Sequence, residues 1–251
     1  MAINVNVVYG TVQAILNKEQ RGYFAPSEFN KFAEQVQLEI YESYFYDMAH
    51  FDVSRKGTDM SIQMLLQEKK DIFHEPRETV TAASNGRYTL PSDLYRLDRV
   101  YLVNGATTTI VDKIMHKDAQ YILNSNLTAP NATYPKYVRT NNTLQVYPTV
   151  LPTDATITID FYRKPAAPRW AYISPGNSTD VGSLYPQLSG NDLPNNALYN
   201  PTGSVNFELH PSEQYLVIQK ILGLVGIQIR EADIIQVAAG EEAQDNTNKK
   251  T

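Results

Sequence analysis

The chain contains no cysteine. Disulfide staples, thiolate catalysis, cysteine-ligated zinc and iron–sulfur clusters are excluded, while the compartment stays open. Histidine is scarce too: His50, His74, His116 and His210 are the only four, and none lies within four positions of another. No pair has the spacing of a helical zinc site, so no histidine metal centre is expected. Asp233, Glu241 and Glu242 lack the alternating oxygen ligands of a calcium loop. The longest apolar stretch, "ILGLVG" from Ile221, is far shorter than the roughly 20 residues of a membrane-spanning helix. The start, "MAINVNVVYG", lacks the basic region and apolar core of a signal peptide. There is no basic excess: 22 Lys and Arg stand against 27 Asp and Glu, a net charge of -5. That balance speaks against broad nucleic-acid binding, though a channel past which DNA slides needs no basic face. The expectation is a soluble protein, or one assembled into a soluble particle.

Catalytic constellations are missing as well. "GRYTLPSD" from Gly86 has neither the pattern nor the lysine of a phosphate loop. The late "GLVG" does not follow a strand, so it is no dinucleotide fingerprint. Ser92, Asp93 and His116 have no nucleophile elbow around them. Ser92 reads as a turn residue and Asp93 as a local cap. No carboxylate pair sits in a cleft-like context of the glycosidase kind. An enzyme is not expected, nor is any cofactor.

What is abundant is tyrosine: 17 residues, against 8 phenylalanines and one tryptophan. Tyrosine combines a large contact area with a polar tip, which suits interfaces and half-buried strands.

The period of the apolar residues divides the chain. In "APSEFNKFAEQVQLEIYESYFYDM", Phe29, Phe32, Val36, Ile40 and Tyr44 recur at three- and four-residue spacing, predicting an amphipathic helix. Pro26 and Ser27 mark its start, with Ser27 as cap. A first short helix is expected from Thr11, closed by Gly22. A third is expected from Asp59 to Phe73, stopped by the proline of "HEP". From Glu78 the period becomes two. "ETVTAA", "RYTL", "LDRVYLVNG", "TTTIVDKI", "YPKYVRTNNTLQVYPT" and "ATITIDFYRKP" read as an antiparallel sheet of about five or six strands, with turns at Asn85–Gly86 and Asn104–Gly105. "HKDAQYILNS" interrupts it as a short helix. From Trp170 to Val205 the chain is rich in Gly, Pro, Asn and Ser, and Asp180 and Asp192 are its only formal charges. So long a connection is expected to be an arm ordered by other protein. A last helix starts at "HPSEQ", with Pro211 in its first turn and Glu213 near the positive end of its dipole. Its interior Gly223 and Gly226 each cost up to about 1 kcal/mol relative to alanine.

The expected class is α+β. N-terminal helices (1–77) and a C-terminal helix (208–240) form a bundle. A mainly antiparallel β domain (78–169) is inserted, followed by an extended arm (170–207), and a flexible tail (241–251) ends the chain.

Four segments give this order a resemblance. "VYGTVQAILNKEQRGYFAPSEFNKFAEQVQLEIYESYF", "GRYTLPSDLYRLDRVYLV", "YPKYVRTNNTLQVYPT" with "ATITIDFYRKPAAP", and the helix from His210 resemble the head-to-tail adaptors, or neck ring proteins, of tailed bacteriophages. The likeness is greatest to those of crAss-like, short-tailed phages, and it covers most of residues 5 to 240. The arm departs from the compact adaptor pattern. The resemblance implies a homo-oligomeric ring of about twelve copies in the virion neck, assembled in the host cytoplasm. The ring would join portal to tail and extend the channel through which double-stranded DNA passes without sequence-specific binding. Neighbouring neck or tail rings would be further partners, and no membrane would be. Leu222, Val225, Ile229, Ile234, Glu241 and Glu242 are the expected portal or subunit contacts. Tyr88, Leu90, Tyr95 and Arg99 would structure the sheet or its tail-side contacts. Trp170, Tyr172, Leu184, Tyr185 and Tyr199 would belong to an inter-subunit arm. The competing readings are another tail ring, a tail-tube or tail-terminator protein without portal contact, and a glycan-binding module.

Overall fold

The computed structural model describes residues 2–18, 24–54, 60–82, 85–152, 154–173 and 198–229. The described residues fall into two units. One lies within Met1–Ile72 and Pro165–Thr251, and the other is Phe73–Lys164. The class is α+β: helices from both ends of the chain pack together, and an antiparallel β region is inserted between them.

In the helical unit, α1 spans Val5–Lys18, α2 Pro26–Ser54, α3 Met60–Asp71 and α5 Gln214–Ile229. The first helix starts six residues before the expected Thr11. The reason is Asn4, whose side-chain oxygen accepts from the amides of Asn6 (2.8 Å) and Val7 (3.4 Å) and so caps the first turn. At the start of α2, Pro26 stands in the first turn, but Ser27 is not the cap. Ala25 accepts from the Glu28 and Phe29 amides. The Glu28 carboxylate reaches back to the Ala25 amide at 3.3 Å, which is half of a capping box.

The buried stripe of α2 is Phe29, Ala33, Val36, Ile40, Tyr41 and Tyr44, and Gln37 is buried in its midst. Val5, Val8, Val12 and Leu16 of α1 and Val217, Ile221 and Val225 of α5 are buried too, and α5 packs against both α1 and α2. The third helix stops at Asp71, before "HEP", and His74–Glu75–Pro76 already belong to a strand.

The sheet unit contains β1 (His74–Thr79), β2 (Thr81–Ala82), β3 (Arg87–Thr89), β4 (Leu94–Asn104), β5 (Thr107–Ile110) and β6 (Asp112–Lys113). A 3₁₀ turn (His116–Asp118), α4 (Ala119–Leu123), β7 (Lys136–Thr140), β8 (Thr143–Tyr147) and β9 (Ala155–Arg163) follow. The expected single sheet is in fact two. One is four-stranded in the order β1-β9-β4-β5, and the other five-stranded in the order β2-β3-β8-β7-β6. All pairs are antiparallel except β6 with β7.

The chain changes sheet twice within apparently continuous strands, at Val80 and at Val111. Both valines are buried, and their amides still donate to the first sheet, at Ile157 (3.1 Å) and Val100 (2.9 Å). Such corners turn a strand from one layer into the next. Between the layers lies one core, which includes Tyr88, Leu90, Val100, Leu102, Tyr137, Leu144, Val146, Ile157, Ile159 and Phe161.

Both expected Asn-Gly turns form. Asn85 and Gly86 take φ of 52° and 72° in the connection from β2 to β3, the left-handed conformation that Asn and Gly adopt most readily in turns. Gly105, at φ 56°, turns β4 into β5. A Cβ on Gly86 would stand 2.8 Å from the Val146 carbonyl oxygen, whereas one on Gly105 would meet nothing within 4 Å.

The two glycines should therefore respond differently. Gly86→Ala should lower stability by about 2 kcal/mol or more, because backbone strain and a clash with main chain add. Gly105→Ala should lose only about 1 kcal/mol. Urea unfolding midpoints measure the difference, and equal losses would contradict the packing described.

Candidate assembly interface

Among the described residues, the fold uses some polar and aromatic side chains internally and leaves others outside. The helical unit is built from two stretches separated in sequence by the whole sheet unit, and α2 holds the returning stretch by carboxamides. The Asn30 side-chain oxygen accepts from the Trp170 amide (2.7 Å), and its nitrogen donates to the Trp170 carbonyl (3.2 Å). Two helical turns on, Gln37 donates to the Ala166 carbonyl (2.7 Å) and accepts from the Glu208 amide (2.9 Å). Gln37 is only 1% exposed, so both of its polar ends need the partners they have.

Trp170 is 4% exposed. Its indole N–H donates to the Asn6 side-chain oxygen (3.0 Å), and its ring lies 4.3 Å from that of Tyr9. Tyr199 and Tyr172 stack on it at 5.7 and 6.2 Å. These two tyrosines sit opposite one another on the ribbon of β10 (Tyr172–Ile173) and β11 (Leu198–Tyr199). Of the residues expected in an inter-subunit arm, Trp170 is thus turned into its own unit. Tyr199 is half-buried and Tyr172 keeps 47% exposure. Leu184 and Tyr185 lie outside the described residues.

The expected portal-side stripe divides in the same way. Val225 lies in line with Val217 and Ile221 and is buried in the bundle, whereas Leu222, one position off that line, is half-buried. Ile229 is the last residue of α5. Ile234, Glu241 and Glu242 lie outside the described residues. Where α5 begins, Glu213 in the 3₁₀ turn Pro211–Glu213 pairs with Lys69 of α3, and both carry little exposure. The Lys69 ammonium also stands 5.8 Å from the ring centre of Tyr44. The Tyr44 hydroxyl is buried, with no hydrogen-bond partner among the described residues. Burial first, then the Glu213 charge, drives its phenol far above the ordinary tyrosine range.

In the sheet unit, Tyr88 and Leu90 belong to the core between the layers, so they structure the sheet. Tyr95 and Arg99 of β4 are exposed. Beside Arg99 lies a polar cluster. Asp160 of β9, 9% exposed, accepts from the Tyr101 hydroxyl (2.9 Å) and from the Arg77 amide (2.9 Å). Arg77 takes a φ of 57° within the bulge of β1, and its guanidinium lies 3.9 Å from the centre of the Tyr101 ring. Burial, then the hydrogen bond and charge of Asp160, raise the Tyr101 phenol, against the opposing influence of Arg99 and Arg77. This arrangement ties the bulged edge strand β1 to β9 and β4. Among the described residues, no group of His, Asp and Glu is placed to hold a metal ion.

Some exposed apolar side chains were not singled out by the sequence pattern. Met115 (65%), Tyr121 (80%), Leu127 (93%) and Tyr134 (68%) come from the excursion between β6 and β7, and Tyr46, Met64, Val150 and Tyr215 are comparably exposed elsewhere. That excursion is locally fixed. The Ser125 hydroxyl accepts from the Leu127 and Thr128 amides, and the Asn131 side chain accepts from the Thr133 and Tyr134 amides. Ile114 and Ala119 anchor it to Val138. The only local signal was its Ser and Asn turn chemistry. Apolar side chains held outward by an ordered loop mark an interaction surface.

The SU10 adaptor protein family matches residues 58–198. The chain belongs to that family. No curated protein matches the chain. Membership makes the adaptor a structural, non-catalytic protein of the tailed-phage head-to-tail connection, with the general connector role the resemblance implied. It does not single out the crAss-like phages. The matched span includes the whole inserted sheet unit and the exposed excursion.

Two outcomes are expected. Trp170→Ala should destabilise the adaptor by about 3–5 kcal/mol, as removal of a buried aromatic does, while Tyr172→Ala should change stability by no more than about 0.5 kcal/mol. Chemical denaturation of both variants checks this. The second outcome concerns pH. Burial raises the phenols of Tyr44, Tyr88, Tyr101 and Tyr137 in the folded state, while the unfolded chain ionises near pH ~10. Their contribution is therefore complete below that pH and lost as pH rises above it. Urea midpoints should fall above about pH 10, and the fall should be shallower in Tyr44→Phe. A flat profile would contradict the burial of these rings.

Proposed function

We propose that the adaptor forms a closed ring of about twelve copies in the phage neck, between portal and tail, lengthening the channel through which the DNA passes. The SU10 adaptor match carries this reading. Supporting it is the set of outward apolar side chains on the fixed excursion, Met115, Tyr121, Leu127 and Tyr134, which is a surface suited to repeated protein contact. Repeated heterologous contacts close into a ring when the rotation allows. The net charge of -5 suits a channel that lets DNA slide, since each phosphate-gripping cation would add a salt-dependent brake.

In this reading, Leu222, Ile229, Ile234, Glu241 and Glu242 serve the portal side, with Val225 closing the bundle behind them. Tyr95 and Arg99 serve the tail side, and Tyr172, Leu184, Tyr185 and Tyr199 reach the neighbouring copy.

A symmetry-resolved map of the native particle tests the proposal. It should show copies of this chain in a ring directly against the portal, with neighbours burying roughly 1,600 Å² per pair. A single copy per particle would contradict it. A ring separated from the portal by another protein would move the adaptor to a more distal ring.

A further inference from the structure

Two exposed surfaces of the chain, one in each unit, carry no charge. The first is the excursion between β6 and β7. Residues 119–135 contain no Asp, Glu, Lys or Arg, and Tyr121, Leu127 and Tyr134 are exposed there, with Met115 just before them. The second is the outer face of α1, a helix whose only charged residue is Lys18 at its end. Val5, Val8, Tyr9, Val12 and Leu16 are its buried side. Val7 (48%) and Ile15 (37%) are exposed, with Gly10, Thr11 and Ala14 between them. Spacings of three and four residues put these five on one face. Glycine weakens the middle of a helix, yet a Cβ on Gly10 would meet nothing within 4 Å. The packing of its own chain therefore does not require Gly10.

Resting on the ring reading above, we propose that the excursion of one copy packs on the outer face of α1 in the next copy of this chain. A ring repeats a contact between two different patches of one chain, and these two lie in different units. The large side chains stand on the excursion, and the α1 face between Val7 and Ile15 is flat enough to receive them. At about 150–250 Å² for a large side chain, Met115, Tyr121, Leu127 and Tyr134 together expose roughly 600 Å². That is most of the roughly 800 Å² per partner in a standard interface.

Charge around the two patches favours the same pairing. Lys113, Lys117 and Lys136 flank the excursion, against Asp112 and Asp118. The sheet unit as a whole has 10 Lys and Arg and 8 Asp and Glu, a net charge of +2. The helical unit has the other 12 Lys and Arg (22 − 10) and 19 Asp and Glu (27 − 8), a net charge of −7. Opposite charge draws the sheet unit of one copy to the helical unit of the next, and like charge opposes contact between two helical units. An uncharged apolar centre with a charged rim is the usual anatomy of a protein contact.

The chain has no cysteine, so introduced pairs report unambiguously. Particles should be assembled from a mixture of two populations. One carries Leu127→Cys or Tyr121→Cys, and the other a single cysteine in place of Val7, Gly10, Ala14 or Ile15. A disulfide joining the two populations is expected for at least one pair. Two further variants interrupt the contact without touching either core. Leu127→Asp buries an unpaired carboxylate only in the assembled ring, so it should reduce copies per particle roughly tenfold or more. Gly10→Arg should do the same, because its side chain enters space that is open only in the free chain. Neither should lower the unfolding midpoint of the soluble chain. Rings without any such cross-link, or normal incorporation of either variant, would overturn the contact while leaving the ring intact. A full ring of Leu127→Asp copies that fails to attach the tail would assign the excursion to another neck protein and overturn it too. Wild-type particles without a ring of this chain would overturn both readings.

Discussion

The helical unit depends on the carboxamides of Asn30 and Gln37. Each takes hold of main chain that returns after the whole sheet unit has been threaded. Bringing such distant segments together costs loop-closure entropy, and that cost grows only slowly with the length inserted. The carboxamides define the register of the return. Once Ala166, Trp170 and Glu208 are fixed, Trp170 packs on Tyr9, Phe207 exchanges both of its backbone hydrogen bonds with Ile3, and α5 lands between α1 and α2. An apolar contact alone would tolerate sliding, whereas paired donors and acceptors at two places do not.

That constraint shapes the division of surfaces. Aromatic and apolar residues needed to lock the return, Trp170 and Val225 among them, are withdrawn from outside contact. The outer face of the β10–β11 ribbon and the excursion between β6 and β7 remain outside. The sheet unit has its own core between two layers and can present its excursion without drawing on the helical core. Such a separation suits a connector, where one part is fastened and another offers contacts.

Much of this could be read from the sequence where the signal was local. The stripe of α2, the Asn-Gly turns and the inward Ile157 and Ile159 of β9 follow from spacing and turn chemistry. Gln37 did not stand out, although it lies four residues from both Ala33 and Tyr41, because a polar residue in a stripe is legible only once its partners are known. The sheet changes at Val80 and Val111 were hidden because no glycine or proline marks them. Thr158, Asp160 and Tyr162 are buried as well as the inward face of β9, which an alternating pattern of polar residues does not announce. Trp170 lay in a polar, proline-rich stretch, and Asn30, which binds its main chain, stands 140 positions away. The exposure of Leu127 and Tyr134 is likewise a property of turns and anchors, not of period.

The central claim is that the returning chain is locked to α2 as firmly as the bundle itself. Hydrogen exchange of the full chain, read by mass spectrometry, tests it directly. The amides of Trp170 and Glu208, bonded to Asn30 and Gln37, should exchange as slowly as those in the middle of α2, because both open only when the unit unfolds. Exchange at the rate of an exposed loop, with α2 still protected, would contradict the account.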